Sequence, residues 1–269
     1  MATKTLLAPV TLITDFGLHD EYVGAIKGVL LSVAPTCRII DISHLIPPHD
    51  ILAASYLLSR SAEYFPPRTV HLVIVDPGVG SDRAILVIAA NGQYFVGPDN
   101  GVFSSLFDKA GSLTIHKVDI PVVGCERMSS TFHGRDIMAP IAAKLAKGVA
   151  IGSFGSPIDR THCVVLYNSK PIVRETTMQG VIIHIDRFGN LCTNITKHDF
   201  YSFSCNLPVV IVVGDNGSIP LCDAYATMKT GGILALFDSH NHLEIAENQG
   251  SAAVRLGVAV GDKILLRKI

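Results

Sequence analysis

Up to about residue 165, β-branched apolar runs alternate with segments whose apolar side chains recur at helical spacing; beyond it that spacing nearly vanishes. Pro9 to Ile13, Arg38 to Ile42 and Val70 to Val75 read as strands. Residues 20–34 place Val23, Ile26, Val29, Leu30 and Val33 on one helical face and stop at Pro35, which disfavours helix in the residue before it. Asp50 to Ala62 and Arg135 to Ala146 read as further helices. This alternation predicts an N-terminal α/β domain with a mainly parallel sheet, because parallel neighbours need a crossover long enough to hold a helix. Later apolar runs are short: Val181 to Ile185, Leu207 to Val213, Ile233 to Phe237 and Lys263 to Arg267. Turns such as Gly214-Asp215-Asn216-Gly217 and Gly231-Gly232 separate them, which predicts a smaller C-terminal all-β barrel domain. The expected boundaries are 1–167 for the α/β domain, 168–175 for a linker around Asn168-Ser169-Lys170-Pro171, and 176–269 for the barrel.

Charge removes one class of partner. The formal net charge of the 269 residues is -1, with no long basic run. Polyanion binding needs clustered positive charge, so nucleic acid is not expected. An apolar fraction of 48% leaves hydrophobic surface that subunit association would cover. The apolar run near the N-terminus is interrupted by Asp15, and no stretch approaches the roughly 18 to 20 apolar residues of a membrane helix. A cytoplasmic protein with no membrane contact is the expectation. The cysteines Cys37, Cys125, Cys163, Cys192, Cys205 and Cys222 form no Cys-x-x-Cys pair, which favours reduced thiols over a zinc or redox motif.

Polar residues gather where the apolar strands end, the place where α/β sheets bind ligands. Three clusters stand out: Thr14-Asp15-Phe16-Gly17, the stretch Val75-Asp76-Pro77-Gly78-Val79-Gly80-Ser81-Asp82-Arg83, and Thr131-Phe132-His133-Gly134-Arg135-Asp136. A fourth, Asp186-Arg187-Phe188-Gly189-Asn190, follows the first run of the β domain. Each also has an ordinary structural reading. Asp15 can cap the helix after it. Asp76 and Arg83 can form a surface ion pair of little worth. His133 can be a hydrogen-bonded histidine at a helix start, and Asp186 and Asn190 can be turn residues. Gly78-Val79-Gly80 lacks the Gly-Lys-Ser/Thr ending of a P-loop and the third glycine of a dinucleotide fingerprint.

Ile13-Thr14-Asp15-Phe16-Gly17 followed by Asp20-Glu21-Tyr22-Val23 resembles the opening of the SAM hydroxide adenosyltransferase family, which also contains the fluorinase and chlorinase. Val75 to Gly80, Gly97-Pro98-Asp99-Asn100-Gly101, Thr131 to Asp136, Asp186 to Asn190 and Leu243-Glu244-Ile245-Ala246-Glu247-Asn248 resemble further family blocks in the same order. The resemblance implies an α/β domain followed by a β-barrel. It implies homotrimers, in some members paired into hexamers, with S-adenosyl-L-methionine (SAM) bound between the N-domain of one subunit and the C-domain of the next. It implies hydrolysis of SAM to adenosine and L-methionine with no cofactor, SAM being the substrate.

Attack at C5′ expels a neutral thioether, so the difficulty lies in the nucleophile: water has a pKa of about 15.7. No His, Asp, Glu or Cys set has metal-ligand spacing, so none is expected to supply hydroxide through a metal. By resemblance, Asp76, Arg83 and His133 hold the water instead. Asp15 receives both ribose hydroxyls, Asn190 reads the adenine edge, Phe188 stacks near base or sugar, Asp186 meets the methionine ammonium, and Ser239 meets its carboxylate. His240 and Glu247 depart from the family pattern. A halogenase is the nearest alternative, but halogenases of the family lack the Asp at position 76 and carry Ser where this chain has Gly134. A non-catalytic SAM or adenosine sensor is the other, and it would not need a trio directed at water.

Overall fold

The computed structural model describes residues 7–109, 111–123, 129–166, 170–214 and 216–269. The chain divides into two units, 1–166 and 167–269. The first runs β1 (Val10–Thr14), α1 (Tyr22–Val33), β2 (Ile39–Ser43), α2 (Ile51–Ser61), β3 (Val70–Ile74), β4 (Ile85–Ala90), β5 (Gln93–Pro98), α3 (Ser104–Lys109), β6 (Leu113–Val118), α4 (Ile120–Val123), α5 (Ala139–Ala146) and β7 (Gly155–Ile158). Its sheet has the order β2-β1-β3-β5-β4-β6-β7. The α/β expectation is met, but the sheet is mixed and not mainly parallel. Pairings β2/β1, β1/β3 and β3/β5 are parallel, and β5/β4, β4/β6 and β6/β7 are antiparallel. The direction reverses at Asn91-Gly92, where both residues have positive φ between the paired Ala90 and Gln93. That is the dipeptide a two-residue hairpin favours.

Both faces of this sheet are buried, as a crossover topology requires. Ile26 and Leu30 of α1 and Ile141 and Leu145 of α5 pack with Leu12, Leu72 and Val87 on one face. Ala54 and Leu58 of α2 pack with Ile13, Val73 and Ile88 on the other. The helix expected over Arg135 to Ala146 begins as a widened turn, Gly134–Met138, in which the Ala139 N–H donates to the Gly134 carbonyl. Pro140 lacks the N–H an α-helix would offer the Asp136 carbonyl, and the wider turn avoids the clash its ring would make there.

The second unit comprises β8 (Ile172–Val173), β9 (Thr177–Ile185), β10 (Leu191–Thr196), α6 (Lys197–Ser204), β11 (Val209–Val213), β12 (Ile233–Phe237), β13 (His242–Glu247), α7 (Ala252–Leu256) and β14 (Lys263–Lys268). The antiparallel order β11-β14-β9-β10-β13-β12 nearly closes on itself. Ile219 bridges Ile211 of β11, and Leu221 bridges Ala235 of β12. Met178, Ile182, Leu191, Ile211, Leu243 and Ile264 fill the interior. The expected barrel is present, but helices α6 and α7 go beyond an all-β reading. The first is set by a capping box: Thr196 Oγ1 accepts from the Asp199 N–H, and the Asp199 carboxylate accepts from the Thr196 N–H. Only Phe200 and Phe203 supply its buried apolar side chains, too few for a periodicity signal. Of the expected linker, Asn168 and Ser169 lie outside the described residues, as do Asp215 and Cys125. The other five cysteines are free.

Candidate functional site

In the first unit, the ends of neighbouring parallel strands bring two carboxylates together. Asp15 directly follows β1, and Asp76 lies two residues beyond β3. With His133 they line one pocket of about 260 Å³. Phe16, Tyr22 and Phe132, also in its wall, touch one another with ring centroids 5.4–5.8 Å apart.

Arg83 sits behind the pocket and ties two of these groups together. Its Nε donates to Asp76 Oδ1 at 2.8 Å and Oδ2 at 3.0 Å, and its Nη2 also donates to Oδ2. The same Nη2 lies 3.0 Å from His133 Nδ1. A guanidinium carries no acceptor, so Nδ1 must accept, and the neutral ring keeps its proton on Nε2. The pair is not the surface bridge the sequence also allowed: the Arg83 and Asp76 side chains are 9% and 6% exposed. Burial, then the Arg83 charge, hold His133 below the usual histidine range against the opposing pull of Asp76 and Asp136. Asp136 is itself held low. Burial alone would raise it, but hydrogen bonds from Arg135 and from the Ser129 N–H outweigh that.

Asp15 does not cap α1, which starts at Tyr22 with Glu21 at the cap position. Its Oδ2 accepts from the His49 N–H at 2.9 Å. His49 adopts φ 68°, a conformation costly for a residue with a Cβ, and it lines the same pocket. Gly134 is required by proximity: a Cβ there would lie 2.9 Å from Ile74 Cγ2.

The second unit has its own pocket, of about 550 Å³, lined by Asp186, Phe188, Asn190, Tyr225, Glu247 and Asn248 among others. The turn role of Asp186 is real. Its Oδ1 accepts from the Phe188 and Asn190 N–H groups, and its Oδ2 accepts from Asn190 Nδ2 at 3.0 Å. This bond fixes the orientation of the Asn190 amide, with its nitrogen toward Asp186. Phe188 is 75% exposed. Ser239 is exposed after β12, its hydroxyl 3.1 Å from His240 Nδ1, and it is not among the residues lining this pocket.

Sequence reasoning missed His49, Tyr225 and the wall position of Glu247. Tyr225 lies in a loop with neither period nor motif, so no signal marked it. His49 follows Pro47-Pro48, a turn signal that says nothing of the pocket. Among the described residues one group could hold a cation: ligand atoms of Cys192, Asp238 and Glu244 lie within 4.8 Å of one another. Protein donors already use these groups. Asp238 Oδ1 accepts from the His240 and His242 N–H groups, and Glu244 Oε1 accepts from the Tyr225 hydroxyl. In a further cavity of about 420 Å³ beside α2 and β5, several polar groups of the wall are bonded within the protein. Ser55 and Ser105 bond each other there, and the Gln93 amide donates to the carbonyls of Ala62 and Phe65.

Comparison with known proteins adds to this geometry. The SAM hydroxide adenosyltransferase N-terminal domain profile matches residues 10–155, and the C-terminal domain profile matches 180–265. A relative from Salinispora arenicola named (R)-S-adenosyl-L-methionine hydrolase is 34% identical, covering 95% of this chain and 96% of its own. A fluorinase from Nocardia brasiliensis is 25% identical over 95% of this chain and 96% of its own. The crystal structure of an uncharacterized conserved protein from Thermotoga maritima superposes with a TM-score of 0.87 at 36% identity, covering 96% of this chain and all of that one.

Proposed function

This chain belongs to the SAM hydroxide adenosyltransferase family and is a hydrolase of S-adenosyl-L-methionine; we propose that water held by Asp76, Arg83 and His133 attacks C5′ of the ribose and releases adenosine and L-methionine. The observation that carries this reading is the buried Asp76–Arg83–His133 chain of hydrogen bonds at the wall of a pocket. The oxygen of water forms the new bond to C5′ as the C5′–sulfur bond breaks. Its electron pair leaves with sulfur as a neutral thioether, and one proton is released. Asp76 accepts a hydrogen bond from the water. The Nε2–H of His133 donates to the oxygen as the water loosens its proton and takes on hydroxide character, and Arg83 fixes both partners. A fixed donor and a fixed acceptor align the water, and such positioning is worth up to about 7–11 kcal/mol. A carboxylate beside the nucleophile repels chloride or fluoride, which favours water over halide.

Asp15 is proposed to receive the ribose hydroxyls, Asn190 the adenine edge, Phe188 a stacking face, Asp186 the methionine ammonium and Ser239 its carboxylate. The reaction is proposed to need no metal or cofactor, in the cytoplasm. The deciding experiment incubates pure protein with SAM, with and without halide and with and without a chelator, and identifies products by chromatography and mass. Adenosine and methionine in every arm are expected. A 5′-halogenated nucleoside would mark a halogenase, bound but unconverted SAM a sensor, and loss of activity with chelator an overlooked metal.

The protein is also proposed to act as a homotrimer, or paired trimers, whose subunits complete one another's sites. Asp15→Ala and Asn190→Ala are each expected to be nearly inactive. After co-refolding, mixed oligomers recovered through two tags are expected to regain part of the activity. Recovered mixed oligomers without activity would sink the shared site.

The neutral His133 sets a pH dependence. Its folded pKa is lowered, so the unfolded chain binds that proton more tightly. Its contribution to stability is therefore present above the ordinary value of about 6.5 and is lost as pH falls through the window below it. Protonated Nδ1 can no longer accept from Arg83, so kcat is expected to fall on the acid side of that value. In His133→Gln, which lacks the titrating ring, the residual kcat is expected to lose that acid limb; a limb that persists would assign it elsewhere.

A further inference from the structure

Tyr225 enters the C-terminal pocket from a single turn, Tyr225–Thr227, that buries none of its residues. The residue is 43% exposed, so packing alone does not hold it. Two hydrogen bonds tie this loop to β13 and to the residue that follows it. The Tyr225 hydroxyl donates to Glu244 Oε1 at 2.7 Å, and Asn248 Nδ2 donates to the Met228 carbonyl at 2.6 Å. Glu244 is 4% exposed, and its Oε2 lies 3.8 Å from the thiol of Cys192, its register partner on β10. A buried carboxylate is costly unless hydrogen-bonded. Here one of its bonds reaches through to a side chain of the pocket wall, while Glu244 itself is not in the lining.

We infer that Glu244 is a positioning residue that locks the Tyr225 ring into one orientation, as the fixed wall against which the planar base of the substrate packs. This deepens the proposed hydrolysis of SAM and rests on it for the identity of the base. In this bond the phenol is the donor and the carboxyl oxygen the acceptor. Burial, followed by the bond to Glu244, pushes the Tyr225 phenol well above the ordinary tyrosine range, which keeps that proton in place. A ring fixed before binding loses less freedom when a base stacks on it. Because the wall faces the base and not the reacting carbon, its loss weakens binding and spares the chemical step.

The test measures adenosine binding by calorimetry beside SAM turnover, for the full-length protein and three variants. Glu244→Ala is expected to raise both the adenosine Kd and the KM for SAM about tenfold, with kcat within about twofold. Tyr225→Phe keeps the ring, loses the tether, and is expected to match it. Glu244→Gln still offers an amide oxygen to Tyr225 and is expected to restore most of the affinity. The Tyr225→Phe/Glu244→Ala pair is expected to be no worse than either single change. Wild-type affinity in Glu244→Ala, or losses that multiply in the double variant, would overturn the inference. If Glu244→Ala does not fold, Tyr225→Phe and Glu244→Gln decide alone, since only the first must weaken binding. If wild type binds adenosine but leaves SAM intact, hydrolysis fails, and the calorimetric comparison still judges Glu244.

Discussion

Asp76→Ala is expected to lower kcat by about 100-fold or more while the KM for SAM changes little. Asp76 has both oxygens on Arg83 and no proposed contact with the substrate, so its loss acts on the nucleophile alone. Asp76→Asn is the sharper variant. It keeps the volume and one acceptor, but turns a donor toward Arg83 where only acceptors fit. Single-turnover kinetics with a filter-binding measurement of SAM affinity separates the two effects. Turnover near wild type in either variant would remove Asp76 from the mechanism.

Arg83→Ala is expected to lose activity and stability together. The 6% exposed Asp76 side chain would be left as an unpaired buried charge, and breaking such a pair costs about 3–5 kcal/mol. Arg83→Lys is expected to rescue neither property. A single ammonium cannot reproduce the fork that serves both Asp76 oxygens through Nε and Nη2 and also reaches His133. Urea unfolding of Arg83→Met and of Asp76→Asn/Arg83→Met separates the causes. The double variant, with no uncompensated charge, is expected to recover stability but not turnover. A double variant no more stable than Arg83→Met would mean that the loss comes from packing of the Arg83 stem.

What could be read from the sequence follows from how local each signal is. The strand and helix runs of the first unit carry their own periodicity, so β1, α1, α2 and β3 were legible within a few residues. The reversal at Asn91-Gly92 was equally local, yet it changes the partner of a strand. Partners depend on long-range packing that no window contains. Helix α6 was hidden for another reason: its start is encoded by the hydrogen-bonding pattern of Thr196 and Asp199 and not by apolar spacing. Asp15 and Asp76 stood out as polar residues at strand ends and His133 in a polar cluster that the fold places at the start of the widened turn before α5, and all three line one pocket. Tyr225 and His49 did not, because a loop residue acquires its place only from what the rest of the chain puts beside it.

The contact between Gly134 and Ile74 bears on how this family can diversify. Any side chain at 134 would collide with a branched residue at the last position of β3. The two positions are therefore not free to change in either order. A substitution at 134 made first passes through an overpacked intermediate, typically costing about 1–3 kcal/mol. A trimmed residue at 74 made first leaves a small void that the second change then fills. In this chain a hydroxyl-bearing side chain at 134 is therefore accommodated only once Ile74, a core residue two positions before Asp76, has been trimmed.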